Sequence, residues 1–201
     1  MEKWSSDELA QRCRALEENM KRIQAEIAEA AIRSGRRPED ITLLAATKTV
    51  PVEVINYGIE RGLDHIGENR VQELCDKYDA LEREKTDVQF IGHLQTNKVK
   101  YLIGKVSMIQ SVDSMKLAQE ISRLSIRGNQ TMNILIEVNI GREENKSGVL
   151  PEHLETLIKE ISTLPALRVR GLMAIPPADA DSVATQHYFS KMFEYFIDTK
   201  H

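Results

Sequence analysis

The chain has 201 residues and a formal net charge of −4, and 41% of its residues are hydrophobic. This composition is typical of a domain that can bury a core of its own. No apolar run approaches the ~18 residues of a membrane span, the N-terminus is too charged for a signal peptide, and no basic cluster suggests nucleic acid. The cysteines, Cys13 and Cys75, have no metal-ligand spacing. We therefore expect a cytoplasmic protein with reduced thiols that binds neither nucleic acid nor membrane.

A long helix is predicted over residues 5–34. Apolar residues recur there at steps of three and four, which gives a narrow apolar stripe. Ser5 followed by Glu8 fits a capping box, and Gly35 fits a C-terminal stop. The repeat covers only about three heptads, so packing on the rest of the domain is favoured over a coiled-coil seam.

After this helix the pattern changes to short β-branched or aliphatic runs separated by helical patterns. The runs predict strands at 41–47, 64–68, 88–92, 107–111, 132–140 and 167–175. Six repeats of strand and helix predict βαβ units and a parallel α/β sheet. No linker or low-complexity segment interrupts the pattern, so residues 1–201 are predicted to form a single domain.

Two parallel architectures fit these units. A doubly wound open sheet usually has a glycine-rich turn after its first strand, and the turn "TKTVPVE" contains no glycine. A (β/α)8 TIM-type barrel collects functional residues at the carboxyl ends of its strands, and the strand ends here are unusually polar. The barrel is therefore favoured. Because six units fill residues 35–201, two more units of roughly 56 residues in total are expected to be missing.

The first predicted strand ends in a lysine. By strand alternation Lys48 shares a face with Thr42, Leu44 and Ala46, which suits the interior of a barrel near its mouth. Partial desolvation there would disfavour the ammonium and free the neutral amine as a nucleophile. Schiff-base chemistry with an aldehyde requires such an amine. A solvated lysine at a strand end is the simpler alternative, and the strand pattern alone favours it.

Polar residues follow the other strands as well. Asn69 with Gln72 fits a helix N-cap, which does not prevent Asn69 from facing the mouth. His93 is a candidate base or ligand, although a hydrogen-bonded structural role is favoured because no second metal ligand lies at suitable spacing. Ser111 is a candidate pocket hydroxyl. Met173 is favoured as core packing on pattern alone. No metal site is predicted.

Polar residues also follow the fourth and fifth predicted strands. Asp113 is expected to cap the helix that follows the fourth strand. The loop "VNIGREENKSG" contains Glu143, Glu144 and Lys146, and it is either a solvated loop or a mobile lid.

Six motifs occur in order: "AATKT", "HIGENRVQE", "QFIGHLQTNK", "QSVDS", "VNIGREENKSG" and "VRGLMAIPP". Together they resemble the pyridoxal phosphate homeostasis protein family, and the resemblance extends from the N-terminal helix to about residue 200. It implies a barrel of PLP fold type III, like the N-terminal domain of alanine racemase, with pyridoxal 5′-phosphate (PLP) as cofactor. Each motif is weak alone, and their order makes the resemblance specific.

The resemblance also implies roles for individual residues. Lys48 matches the lysine that forms a Schiff base with PLP. Asn69, the turn that contains His93, and Met173 match positions around the cofactor mouth, and with Ser111 they are the expected cofactor-binding residues. Family members are regarded as cytosolic and mostly monomeric proteins that carry PLP and regulate vitamin B6 supply and amino and keto acid balance. No dedicated catalytic activity is implied, and PLP-dependent apo-enzymes are candidate recipients.

Two other functions stay open. A racemase-like PLP enzyme of the same fold would need a second acid–base group, which alanine racemase takes from another domain of a partner chain. A cofactor-free interaction protein would dimerise through the N-terminal stripe. The serine-rich and arginine-glycine-threonine segments with which family members hold the phosphate do not occur in this sequence. The resemblance therefore implies weak PLP binding if the chain ends at His201.

Overall fold

A computed structural model describes residues 4–199 of the chain. Six strands alternate with helices along these residues. The strands are β1 (Ala45–Ala46), β2 (His65–Glu68), β3 (Asp87–Phe90), β4 (Met108–Val112), β5 (Met132–Glu137) and β6 (Leu167–Met173). The α-helices are α1 (Ser6–Arg33), α2 (Val52–Ile59), α3 (Val71–Lys77), α4 (Met115–Arg127), α5 (Pro151–Ile161) and α6 (Ser182–Asp198). The predicted domain limits, residues 1 and 201, lie outside the described residues.

The strands follow one another across the sheet in chain order, β1-β2-β3-β4-β5-β6. The pairs β1–β2, β3–β4, β4–β5 and β5–β6 are parallel. A doubly wound sheet would reverse its strand order at a switch point, and no reversal occurs among the described strands. The parallel α/β class is confirmed, and the strand order agrees with the barrel type rather than with a doubly wound sheet.

β1 is much shorter than the predicted strand over residues 41–47. Among the described residues it pairs only with β2, with Ala46 opposite Gly67. The backbone N–H of Thr47 extends the ladder by one hydrogen bond, donated to the Gly67 carbonyl at 2.9 Å. Only Ala45 and Ala46 pair in the ladder with β2, and most of the apolar run before Ala45 stays irregular.

The chain divides into two compact units. The first contains the residues up to Glu68 together with Gln72–Val88, and so includes α1, β1, α2, β2 and most of α3. The second contains Asn69–Val71 and the residues from Gln89 onward, and so includes β4 to β6 and α4 to α6. The single-domain organisation stays a prediction.

In the first unit, α1 begins and ends where its sequence signals place it. The Ser5 hydroxyl accepts from the Glu8 backbone N–H at 3.3 Å, and the Glu8 carboxylate accepts from the Ser5 N–H at 2.8 Å. Gly35 follows the C-terminus with a φ of 72°, a left-handed conformation that glycine adopts freely. α1 packs on α2 at Gly58, where a Cβ would lie 2.9 Å from Leu16 Cδ2. The predicted helix is confirmed, and within the first unit it packs on α2; its packing on the barrel stays a prediction.

The second unit is built around large side chains that are fully buried, among them Phe90, Ile109, Ile134 and Ile136. The apolar faces of α4 and α5 add buried residues to this core: Leu117, Ala118, Ile121, Leu154, Leu157 and Ile161. α6 differs, because it contains no buried residue and exposes Phe189, Phe193, Phe196 and Ile197. Within residues 4–199, no helix has both the length and the apolar character needed to cross a bilayer.

Candidate functional site

Lys48 lies in a tight turn directly after β1. The turn is closed by a hydrogen bond from the Val50 N–H to the Thr47 carbonyl at 3.1 Å, and Thr49 adopts a positive φ of 62°. Lys48 is exposed, and it makes no hydrogen bond or ion pair with any residue that the structure describes. The partial desolvation predicted from the strand pattern is therefore not found. Ala46, on the same face, is exposed as well, because β1 has only one neighbouring strand.

Three charged side chains from β2 and α3 lie against this turn. The Lys77 ammonium donates to the Glu73 carboxylate at 2.6 Å, to the Glu68 carboxylate at 3.1 Å, and to the Thr47 carbonyl at 3.0 Å. The Lys77 side chain is only 12% exposed, and Glu68 is completely buried. Their pairing is thus a partly buried salt bridge, with Glu68 as the fully buried partner, and its charges are hydrogen-bonded on several sides.

The same carboxylates bind the backbone and side chains next to Lys48. The Thr47 hydroxyl donates to Glu68 Oε1 at 2.7 Å, and the Thr49 backbone N–H donates to Glu73 Oε1. The residues on both sides of Lys48 are therefore fixed by groups from β2 and α3. Oε2 of Glu68 is buried and has no hydrogen-bond partner among the described residues, an uncommon state for a carboxylate oxygen.

The sequence pattern predicts no site role for Glu68, Glu73 or Lys77. The Glu73–Lys77 pair has i, i+4 spacing, which could have been found on the predicted helix. The contact between this pair and the Lys48 turn could not be found from the sequence, because the hydrogen bond from Lys77 to Thr47 joins residues that are 30 positions apart.

Asn69 follows β2 and belongs to the second unit. The predicted helix N-cap at Asn69 with Gln72 is wrong. The Gln72 amide donates to Asp76 at 2.8 Å, and Asn69 Oδ1 is buried with no hydrogen-bond partner in the described part of the chain. The Asn69 backbone packs tightly on Gly92, where a Cβ would lie only 2.0 Å from the Asn69 carbonyl oxygen. This close approach requires glycine at residue 92 and fixes the position of Asn69.

Ser111 and Glu137 are two further buried groups with an unpartnered oxygen. Ser111, in β4, is 1% exposed, and its hydroxyl has no hydrogen-bond partner within residues 4–199. Glu137, the last residue of β5, is 7% exposed. Its Oε1 accepts from the Ser147 hydroxyl at 2.7 Å, while Oε2 has no partner among the residues that the structure describes. Buried polar atoms are nearly always satisfied, so such atoms at the carboxyl ends of strands indicate a place for a polar ligand.

Burial raises the pKa of the Glu137 carboxyl above its usual range. The hydrogen bond from Ser147 opposes this rise, the nearby carboxylate of Asp113 adds to it, and His93 opposes it. Glu137 thus has a larger protonated fraction near neutral pH than an exposed glutamate has. The sequence analysis did not single out Glu137, because a glutamate at the end of an apolar strand has no distinctive motif.

His93 lies at the rim of an open cavity of about 550 Å³ at the carboxyl ends of β3 and β4. It is exposed and forms no hydrogen bond within the described part of the chain, so the structural role favoured from the sequence is not found. Asp113 and Ser114 also line the cavity, and Ser114 rather than Asp113 is the N-cap residue of α4. The predicted capping role of Asp113 is therefore wrong.

Met173 is the last residue of β6 and pairs in register with Glu137 of β5. It is half-buried, so it is not a core residue of the kind that the pattern favoured. The loop after β5 is a structured turn: the Asn139 amide donates to the Glu143 carbonyl at 2.9 Å and accepts from the Glu143 N–H at 3.1 Å. Among residues 4–199, no group of three or more acidic, histidine or cysteine side chains could hold a metal ion.

Comparisons with known proteins agree with this architecture. Residues 11–200 match the family model of the alanine racemase N-terminal domain, which confirms the predicted fold class. The pyridoxal phosphate homeostasis protein of Aquifex aeolicus is 46% identical over 177 residues, which cover 88% of this chain and 78% of that protein.

Two solved structures are similar over most of their length. An unknown protein from Bifidobacterium adolescentis has a TM-score of 0.88 and 33% identity, covering 97% of this chain and 81% of that chain. PipY of Synechococcus elongatus, solved with PLP bound, has a TM-score of 0.75 and 29% identity, covering 87% of this chain and 82% of that chain. The chain therefore belongs to the pyridoxal phosphate homeostasis protein family and contains the alanine racemase N-terminal domain.

Proposed function

We propose that this protein binds PLP covalently and reversibly through Lys48, and that it carries and buffers the cofactor in support of vitamin B6 and amino and keto acid homeostasis. The observation that carries the proposal is the exposed amine of Lys48, free of any partner in the described chain, on a turn fixed from both sides. Family membership supports it, since PipY, a similar protein, was solved with PLP bound.

The chemistry divides between the cofactor and the chain. When bound, PLP supplies an aldehyde whose carbon condenses with a primary amine and releases one water. The chain supplies the amine at Lys48. Lys77 is unsuited to the same role, because its ammonium already donates to three acceptors and its side chain is only 12% exposed. At this turn the Lys48 amine is thus accessible, whereas the Lys77 ammonium is already hydrogen-bonded.

The polar atoms of the second unit fit contacts to a polar ligand. Asn69 Oδ1 and Glu137 Oε2 can accept hydrogen bonds, and the Ser111 hydroxyl can donate one. We include Asn69, His93, Ser111 and Met173 as proposed cofactor-binding residues. Asn69, the turn that contains His93, and Met173 match family positions, and Asn69 and Ser111 have the unpartnered atoms. Substitution of each, one at a time, tests each assignment separately.

A carrier role also has consequences for the compartment, the oligomeric state and the partners of the protein. We infer a cytoplasmic monomer that passes PLP to PLP-dependent apo-enzymes. The free state of Cys13 and Cys75 supports a reducing compartment. Size-exclusion chromatography with light scattering tests the monomer, and activation of a PLP-free transaminase by the loaded protein tests transfer.

The central experiment compares wild type, Lys48→Ala and Lys85→Ala. Lys85 is an exposed lysine in the same unit whose partner is Glu82, at 2.6 Å, so its replacement is a matched control. Each protein is mixed with PLP, its visible spectrum is recorded, and it is reduced with borohydride before intact-mass measurement. We expect one PLP adduct in wild type and Lys85→Ala and none in Lys48→Ala. An equal adduct in Lys48→Ala would contradict the assignment.

A further inference from the structure

We propose that Lys77 is a positioning residue for Lys48, acting through Glu68 and Glu73. This role rests on the proposed function, because it concerns how the Lys48 amine is presented to an aldehyde. Lys77 itself does not contact the ligand in this proposal. It holds the turn in which Lys48 lies.

The geometry around Lys77 supports this role. Lys77 is the last residue of α3, and its ammonium lies 3.0 Å from the Thr47 carbonyl, one residue before Lys48. It also binds both carboxylates that hold the turn, Glu68 at 3.1 Å and Glu73 at 2.6 Å. A single, mostly buried cation thus bonds directly to the turn backbone and neutralises both acids that hold the turn.

The turn needs such support because of its backbone conformation. Thr49 has a φ of 62°, which a β-branched residue rarely adopts. Its N–H donates to Glu73, which in turn accepts from Lys77. Strained conformations of this kind persist only where surrounding groups determine them.

Loss of the Lys77 ammonium would act on Lys48 in two ways. The Thr47 carbonyl would lose a charged donor, and Glu68 and Glu73 would be left as like charges with no cation between them. The turn would then sample more conformations, so the Lys48 amine would spend less time where an aldehyde can meet it. Misplacement of a reacting group lowers its rate of reaction steeply.

The test measures the rate of adduct formation with PLP in Lys77→Met, Lys77→Arg and Lys85→Met. We expect Lys77→Met to form the adduct about tenfold more slowly than wild type, with an altered visible spectrum. Lys77→Arg keeps the charge and the donors, so we expect it to recover most of the rate. Lys85→Met removes an exposed lysine paired with one glutamate, and we expect wild-type behaviour.

The outcomes separate this inference from the proposed function. If Lys48→Ala abolishes the adduct while Lys77→Met forms it at the wild-type rate, or if Lys77→Arg is as slow as Lys77→Met, the positioning role is overturned. If Lys48→Ala keeps the adduct, the proposed function fails and the positioning role fails with it. Because Lys77→Met leaves buried carboxylates without a cation, Glu73→Gln is the second variant should it not fold. An unchanged rate in Glu73→Gln then overturns the inference, and a slower rate supports it.

Discussion

The Nζ atom of Lys77 lies 3.0 Å from the carbonyl oxygen of Thr47, so a partly buried ammonium at the end of α3 bonds to the residue that precedes Lys48. This bond joins two segments that are 30 residues apart in sequence. It makes the conformation of the Lys48 turn depend on charges that come from β2 and α3. Several consequences can be measured.

Replacement of Lys77 by methionine should destabilise the protein strongly. The change leaves the completely buried Glu68 without its cation, and such a loss costs about 3–5 kcal/mol. Lys85→Met breaks an exposed pair and should cost at most about 1 kcal/mol. Urea unfolding of both variants and wild type gives the two free energies. Equal decreases in the free energy of unfolding would contradict the prediction that the Lys77–Glu68 pair matters more than the exposed Lys85–Glu82 pair.

Replacement of Gly92 by alanine should disturb the position of Asn69. The new Cβ would lie 2.0 Å from the Asn69 carbonyl oxygen, so the backbone must shift, at a cost of about 3 kcal/mol. Gly104→Ala is the matched control, because its Cβ would meet nothing within 4 Å and its φ of 80° should cost only about 1 kcal/mol. Urea unfolding measures both variants. A loss in Gly92→Ala no larger than in Gly104→Ala would contradict the close approach.

Ionisation of Glu137 should lower stability as the pH rises. Burial raises the pKa of this carboxyl in the folded protein, so the folded state holds the proton more tightly than the unfolded state does. The stabilisation is complete below the unfolded pKa and is lost as the pH rises through the folded pKa. Glu137→Gln removes the titration, so its advantage over wild type should appear near neutral pH and vanish in acid.

Urea unfolding of wild type and Glu137→Gln at a series of pH values measures this difference. Glu155→Gln is a suitable control, since Glu155 is exposed and its ion pair with Lys159 lowers rather than raises the pKa of its carboxyl. A constant difference between wild type and Glu137→Gln across the series would contradict the raised pKa.

Two phenylalanines in the second unit should respond very differently to truncation. Phe90 is 0% exposed in the core, so Phe90→Ala should cost about 3–5 kcal/mol. Phe193, on α6, is 54% exposed, and Phe193→Ala should cost no more than about 1 kcal/mol. Thermal and urea unfolding measure both changes. A large loss at Phe193 would mean that α6 buries more surface than its side-chain exposure indicates.

Local signals in the sequence were sufficient for much of the fold. The capping box of Ser5 and Glu8 and the glycine at residue 35 fixed the limits of α1 because these contacts involve neighbours along the chain. The parallel class followed from the alternation of strands and helices. The extent of β1 did not follow from the sequence. Ladder hydrogen bonds depend on a neighbouring strand, which the apolar run of residues 41–47 does not specify.

The site could be predicted only in part. Lys48 was found from its place after an apolar run and from the motif "AATKT", but its exposure depends on what lies beside β1. The N-cap roles predicted for Asn69 and Asp113 are wrong. Asparagine and aspartate are common at helix N-caps, but the same residue types also occur in pockets. Glu137 and Lys77 could not be predicted from the sequence. What distinguishes them is that the fold encloses their charged groups, and residue type does not show this.

The bond from the Thr49 N–H to Glu73 also has a dynamic consequence. Among the described residues no strand lies on the other side of β1, and the Thr49 amide of the turn is held by the Glu73 side chain of α3. Local opening of the Lys48 turn and unwinding of the end of α3 then belong to one cooperative event, of the kind that native-state hydrogen exchange detects. A change that frays α3 would therefore loosen the reactive lysine without touching it.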